Sequence, residues 1–169
     1  PDDQGTYVDD LVALGHRRLA ILDLSPAGHQ PMQNNDGSLE IIFNGEIYNF
    51  MEIRDELTDY PFKTQSDTEV ILASYRKWGK DCVHKLNGMF AFAIWDKLNK
   101  NLFIARDRLG IKPIYYFQSS TEFLFASEIR ALLESGLVPR KINKHSIADY
   151  FTYQTVHAPQ TIIENVLML

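Results

Sequence analysis

The run Asn44-Gly45-Glu46-Ile47-Tyr48-Asn49 follows the apolar segment Leu39 to Phe43, with Arg18 upstream and Ser66-Asp67 downstream. A guanidinium fork, a carboxylate, a side-chain amide and a glycine N–H suit a pocket for an amino acid beside a developing oxyanion. Each also has an ordinary reading. Asn44-Gly45 alone would make a hairpin turn. Arg18, beside Arg17, would be a surface arginine. Asp67 would be a favourable charge in the first turn of a helix, worth about 0.3 to 1 kcal/mol. Ile21 and Leu22 read as core strand residues.

Other reactive types are sparse. Cys82 is the single cysteine, which excludes an internal disulfide and suits a reducing cytoplasm. It lies in a short helical pattern that turns Val83 and Leu86 inward, as a buried or half-buried structural thiol with no base or oxyanion donor in the local sequence. His16, His29, His84, His145 and His157 are scattered, without the spacing of a zinc site. Asp107-Arg108 reads as a structural charge pair at a strand end. There is no internal repeat, low-complexity linker or phosphate-binding glycine loop.

The elements that must position these residues are strands and helices in blocks. Short strands are expected over Leu19 to Leu24, Leu39 to Phe43, Met89 to Trp95, Leu102 to Arg106, Ile114 to Phe117 and Phe123 to Ala126. Asp36-Gly37 and Lys97 to Asn101 suit tight turns between them. Phe90 to Trp95 is apolar on both faces, which predicts a strand covered on both sides. Asn49 with Glu52 predicts a capped helix to about Leu57. Ser66-Asp67-Thr68-Glu69 is a capping box opening a helix that Gly79 ends near Trp78. Ser127 is expected to cap a helix over Glu128 to Glu134, and Asn143 another to about Phe151. These blocks predict an α+β sandwich of layers.

Composition bounds the function. A chain of 169 residues with 45% apolar and 23% charged residues is long enough for about one domain with a sizeable core. Its 17 Lys and Arg against 22 Asp and Glu give a net charge of −5 with no basic tail, so nucleic acid is not an expected partner. No segment approaches the ~20 apolar residues of a membrane span, and no signal-peptide pattern opens the chain. The opening Pro-Asp-Asp-Gln-Gly has no initiator Met, so a processed or truncated chain is expected.

Several motifs carry a family resemblance. They are Gly15 to Asp23, Gly28-His29-Gln30-Pro31-Met32, Asn44 to Asn49, Ser66 to Glu69, Gly88 to Ala93, and Ala105-Arg106-Asp107-Arg108-Leu109-Gly110-Ile111-Lys112-Pro113. In wording and order the chain resembles the glutaminase domain of glutamine-hydrolysing asparagine synthetases over nearly its whole length. The resemblance implies a four-layer α/β/β/α sandwich of the N-terminal nucleophile hydrolase type with two antiparallel sheets. Residues 1–150 would be this class II glutamine amidotransferase domain, lacking its nucleophile segment. Residues 151–169 would start the connection to an absent ATP-dependent synthetase domain.

The resemblance also implies the chemistry. The thiol of an N-terminal cysteine, expected upstream of Pro1, attacks the side-chain amide of glutamine. Its own α-amine, with a pKa of about 7.7 to 8.0, handles the proton. By motif match, Asn44 and Gly45 form the oxyanion hole. Arg18 binds the α-carboxylate, Asp67 receives the α-ammonium, Gly45 and Glu46 help to hold the amino acid, and Ile21 and Leu22 line the pocket.

The expected whole protein is a cytoplasmic asparagine synthase, an amino-acid biosynthetic ligase. It takes glutamine here, with aspartate and ATP at the synthetase domain. This segment is expected to hold no cofactor or metal, ATP and Mg belonging to the synthetase domain. The resemblance leaves room for a homodimer. Two alternatives stand beside it: a sibling amidotransferase with another acceptor, and a non-catalytic scaffold that has lost its nucleophile. Without the nucleophile segment, the fragment is expected to be poorly stable and inactive.

Overall fold

Exposed and half-buried residues alternate along β1 (Asp3–Val8), which pairs antiparallel with β2 (Ala13–Arg18) in a two-stranded ribbon. The sequence pattern does not predict this ribbon, because its strands carry polar residues on one face and few apolar ones on the other. In the computed structural model residues 2–19 and 26–169 are described. The strand expected from Leu19 to Leu24 lies outside them from residue 20 onward. The chain folds as two compact units, Pro1–Ile111 and Lys112–Leu169.

The first unit is built on an antiparallel sheet of β3 (Met32–Gln33), β4 (Leu39–Ile47), β5 (Gly88–Asp96) and β6 (Asn101–Arg106), in that order. Gly37, at φ 76°, makes the turn between β3 and β4 as its Asp-Gly sequence predicts. Helices α1 (Phe50–Glu56) and α2 (Asp67–Trp78) lie between β4 and β5 in sequence. Ile53 and Leu57, with Val70 to Ala73 of α2, join one core cluster with Ile41, Phe43 and Ile47 of β4 and Phe90, Phe92 and Ile94 of β5. Each of the Ile, Leu, Val and Phe side chains contributes about 1.5–3 kcal/mol through burial. Phe90 to Trp95 are all buried, so β5 is covered on both faces, as its unbroken apolar run predicts.

Three caps differ from expectation. Asn49 precedes α1 without capping it. Its side chain crosses instead to the loop before β5, donating to the Lys85 carbonyl at 2.9 Å and accepting from the Asn87 N–H at 2.9 Å. Ser66 does cap α2, accepting the Thr68 N–H at 3.1 Å. The Glu69 carboxylate, however, takes the N–H groups of Lys63 and Thr64, so the reciprocal half of the box is spent on the preceding loop. In the second unit, Glu128 and not Ser127 precedes α3 (Ile129–Glu134), and it makes no side-chain cap. Longer-range partners outcompete local ones in the first two cases. Gly79, at φ 58°, ends α2 where expected.

The second unit has an antiparallel sheet in the order β8 (Phe123–Ala126), β7 (Tyr115–Gln118), β9 (Val166–Met168). Helix α4 (Lys144–Tyr153) opens at Asn143, whose side chain accepts the His145 and Ser146 N–H groups. Phe117, Leu132, Val138 and Val166 form its core. Residues beyond 150 complete α4 and supply β9. The α+β class with antiparallel sheets is as expected. Among the described residues no helix is long and apolar enough to cross a membrane.

Candidate functional site

The register of β4 against β5 decides which backbone groups face outward. Phe90 accepts the Asp107 N–H at 2.7 Å and donates its own N–H to the Asp107 carboxylate at 3.2 Å, both on the β6 side. Phe90 is the partner of Gly45. The pair is therefore the non-hydrogen-bonded kind, and both backbone groups of Gly45 point away from β5 to the open edge of β4. The N–H groups of Phe43 and Ile47 point the same way. That of Phe43 donates to Gln30 Oε1 at 2.7 Å, and that of Ile47 to Asp67 Oδ2 at 3.0 Å. Between these two capped groups, the Gly45 N–H has no acceptor among the described residues.

Gly45 is the residue type this geometry requires. A Cβ there would strike the Met89 carbonyl oxygen and Phe90 Cα across the ladder, and its φ of 154° is rare for any side-chain-bearing residue. Asn44 pairs with Ala91, exposes its side chain and bonds no other described residue. The hairpin reading of Asn44-Gly45 is thereby overturned, since both lie within a nine-residue strand. An open backbone N–H beside an unengaged amide offers two donors to a negatively charged oxygen.

Asp67 opens α2 and is buried. Burial pushes its carboxyl above the usual range. The Ile47 and Thr68 N–H groups oppose that shift, and the charge of half-buried Glu46 adds to it. A cationic group reaching this carboxylate would relieve the cost of holding the charge there.

Arg18 ends β2 and is 7% exposed. Its guanidinium lies against Gly28, where a Cβ would overlap it. Gly28 ends a 3-10 turn, Pro26–Gly28, and the next two residues reach in different directions. His29 Nδ1 lies 2.7 Å from Asp3 Oδ2 of β1, and this hydrogen bond is the main cause holding the Asp3 carboxyl below its usual range. Gln30, besides capping Phe43, donates from Nε2 to Thr68 Oγ1 at 3.5 Å. One turn therefore joins Arg18 to the edge of β4 and to the start of α2. Asn44, Gly45 and Glu46 lie on the β4 segment between Phe43 and Ile47, Asp67 is bonded to that segment at Ile47, and Arg18 contacts the turn at Gly28. Ile21 and Leu22 lie outside the described residues.

Sequence reasoning singles out Gly28 to Met32 as a motif but assigns it no role. The signal available is a glutamine flanked by histidine and proline, a polar residue with no local bond to make. Asp107 is structural: it braces Phe90 and accepts the Ile111 N–H at 2.9 Å. Cys82 is fully buried, which pushes its thiol up to about 12. No group of His, Cys, Asp and Glu among the described residues could hold a metal ion.

Comparison with known proteins gives one consistent picture. A family model described as a glutamine amidotransferase domain matches residues 1–169. The chain is 41% identical to the putative asparagine synthetase [glutamine-hydrolyzing] 2 of Methanocaldococcus jannaschii, covering 100% of this chain and 36% of that protein. It is 44% identical to asparagine synthetase [glutamine-hydrolyzing] 1 of Bacillus subtilis, covering 98% of this chain and 26% of that one. The chain thus spans about a third or less of the length of these relatives. Among solved structures, glutamine phosphoribosylpyrophosphate amidotransferase from B. subtilis superposes with a TM-score of 0.62 at 27% identity, over 73% of this chain and 29% of that one.

Proposed function

The chain belongs to the glutamine amidotransferase domain family, and we propose that it is the glutaminase part of an asparagine synthetase, releasing ammonia from glutamine for ATP-dependent amidation of aspartate. The observation that carries this reading is the Gly45 N–H, left open on the β4 edge between two capped neighbours. It is a donor held ready for an oxyanion, with Asn44 supplying the second.

On this reading Arg18 takes the α-carboxylate of glutamine through its planar fork, and Asp67 takes the α-ammonium. Glu46 adds negative charge near the ammonium, and Ile21 and Leu22 line the pocket. We assign the nucleophile to an N-terminal cysteine outside these residues, because Cys82 is buried with its thiol held protonated. The thiol sulfur bonds to the amide carbon, and the carbonyl oxygen becomes the oxyanion held by Asn44 and Gly45. Ammonia leaves with the proton taken from the thiol, and water then hydrolyses the thioester to glutamate. ATP and magnesium belong, on this reading, to the synthetase domain of the longer protein.

The test is Asn44→Ala in the intact protein. Glutamate release is expected to fall about 100- to 1,000-fold in kcat, with KM for glutamine nearly unchanged. Wild-type kcat in that variant would overturn the oxyanion assignment. Absence of glutamate release from the intact wild-type protein would overturn the function.

A further inference from the structure

We propose that Gln30 is a positioning residue for glutamine hydrolysis, holding the β4 edge open at Gly45 and setting its spacing from Asp67. The inference rests on the glutaminase reading above. Its starting point is the short β3, which pairs only Met32 with Ile41 and Gln33 with Glu40. Carried backward, that register would set residue 30 opposite Phe43 and residue 28 opposite Gly45. A main chain at those positions would seal the Gly45 N–H.

Gln30 prevents this by meeting Phe43 with its side chain instead of its backbone. The Phe43 N–H can bond only to an acceptor, so Oε1 must face it at 2.7 Å, and Nε2 is then turned to Thr68 Oγ1 at 3.5 Å. The ladder ends at Met32, residue 30 stands one side-chain length from β4, and the turn through Gly28 is held off the strand. The amide is buried, at 5% exposure, so water does not substitute for either partner. Its acceptor arm grips the strand about 7 Å from Gly45, two residues along. Its donor arm reaches the residue following Asp67 through a longer, weaker bond of 3.5 Å. The turn that Gln30 continues also carries Gly28, against which Arg18 rests. One side chain thus relates the oxyanion donor to both groups proposed to hold the amino acid.

The experiment compares Gln30→Met with a core variant of equal Tm loss in the intact protein. Ile94→Val, or Ile94→Ala where a deeper loss is needed, lies toward the other end of the same sheet. Methionine keeps the length and volume but neither bond. The expected result for Gln30→Met is a 10- to 100-fold fall in kcat/KM for glutamine, seen mainly in kcat, against little change in the matched core variant. Equal kinetics in the two variants would overturn the inference, because a merely structural role affects both alike. If Gln30→Met does not fold, Thr68→Val decides by cutting only the donor arm. A severalfold rise in KM for glutamine supports the proposal, and wild-type KM and kcat overturn it. Failure of the wild-type protein to release glutamate would instead remove the glutaminase reading itself.

Discussion

The Asp67 carboxylate accepts the Ile47 N–H at 3.0 Å, tying the first residue of α2 to the last residue of β4, two positions past Gly45. One oxygen of a buried acid thereby finishes a strand edge. The same acid is bonded two residues, about 7 Å, along the strand from the backbone group proposed to stabilise negative charge.

Asp67→Asn keeps an oxygen for Ile47 and removes a buried negative charge. Tm is expected to stay level or rise, while KM for glutamine rises tenfold or more, since a neutral amide cannot balance an α-ammonium. Product formation from added ammonia is expected to be unaffected. An equal loss with both nitrogen donors would count against the assignment.

The pH dependence follows from the raised pKa of Asp67. The folded state holds this proton more tightly than the unfolded chain. Its contribution to stability is fully present below the unfolded value of about 3.9 and is lost as pH rises through the folded value. Above that point the charged form is buried at a cost that Asp67→Asn removes, so the Tm gap between variant and wild type is expected to widen with rising pH. Glutamine affinity runs the other way, falling as pH is lowered and Asp67 protonates. Titration calorimetry across this acid range checks it; affinity independent of pH there would contradict it.

Gly45→Ala places a methyl group against the Met89 carbonyl and Phe90 Cα. The strands must separate at this point, at a cost of about 1–3 kcal/mol and with the N–H displaced. A lower Tm together with loss of glutamate release is expected. A variant with wild-type Tm would show that the ladder can yield there.

Asp107→Ala leaves the N–H groups of buried Phe90 and exposed Ile111 without their acceptor. The buried Phe90 N–H left unsatisfied costs about 1–3 kcal/mol, whereas water can replace the acceptor of Ile111. Denaturant unfolding is expected to show a loss in that range or above, and hydrogen exchange at Phe90 is expected to accelerate. Unchanged protection at Phe90 would mean that another acceptor replaces the carboxylate.

Cys82 is expected to resist thiol reagents in the native protein and to react on unfolding, because burial disfavours the thiolate. Cys82→Ala is expected to retain glutamate release. Rapid native labelling of Cys82, or loss of activity in this variant, would contradict a purely structural thiol.

Elements with strong local signals are legible in the amino-acid sequence. The apolar run Phe90 to Trp95 marks its buried strand, Gly79 its helix end and Asn143 its cap, because each depends on neighbours within one turn or one strand. The polar ribbon of β1 and β2 is not legible there, nor are the true partners of Asn49 and Glu69. Those side chains bond to segments several to some forty residues away, and no window of sequence contains both ends.

The site divides in the same way. The amino-acid sequence alone singles out the candidate groups, Arg18, Asn44, Gly45, Glu46 and Asp67, through residue types and the motifs around them. It also determined that β4 begins as a strand. It could not determine that Asn44-Gly45 continues that strand, because Asn-Gly locally favours a turn and only pairing with β5 overrides that preference. Nor could it determine which N–H stays open. That depends on the parity of the β4–β5 register and on caps brought by Gln30 and Asp67, and hydrogen-bond partners of this kind exist only once the chain has folded.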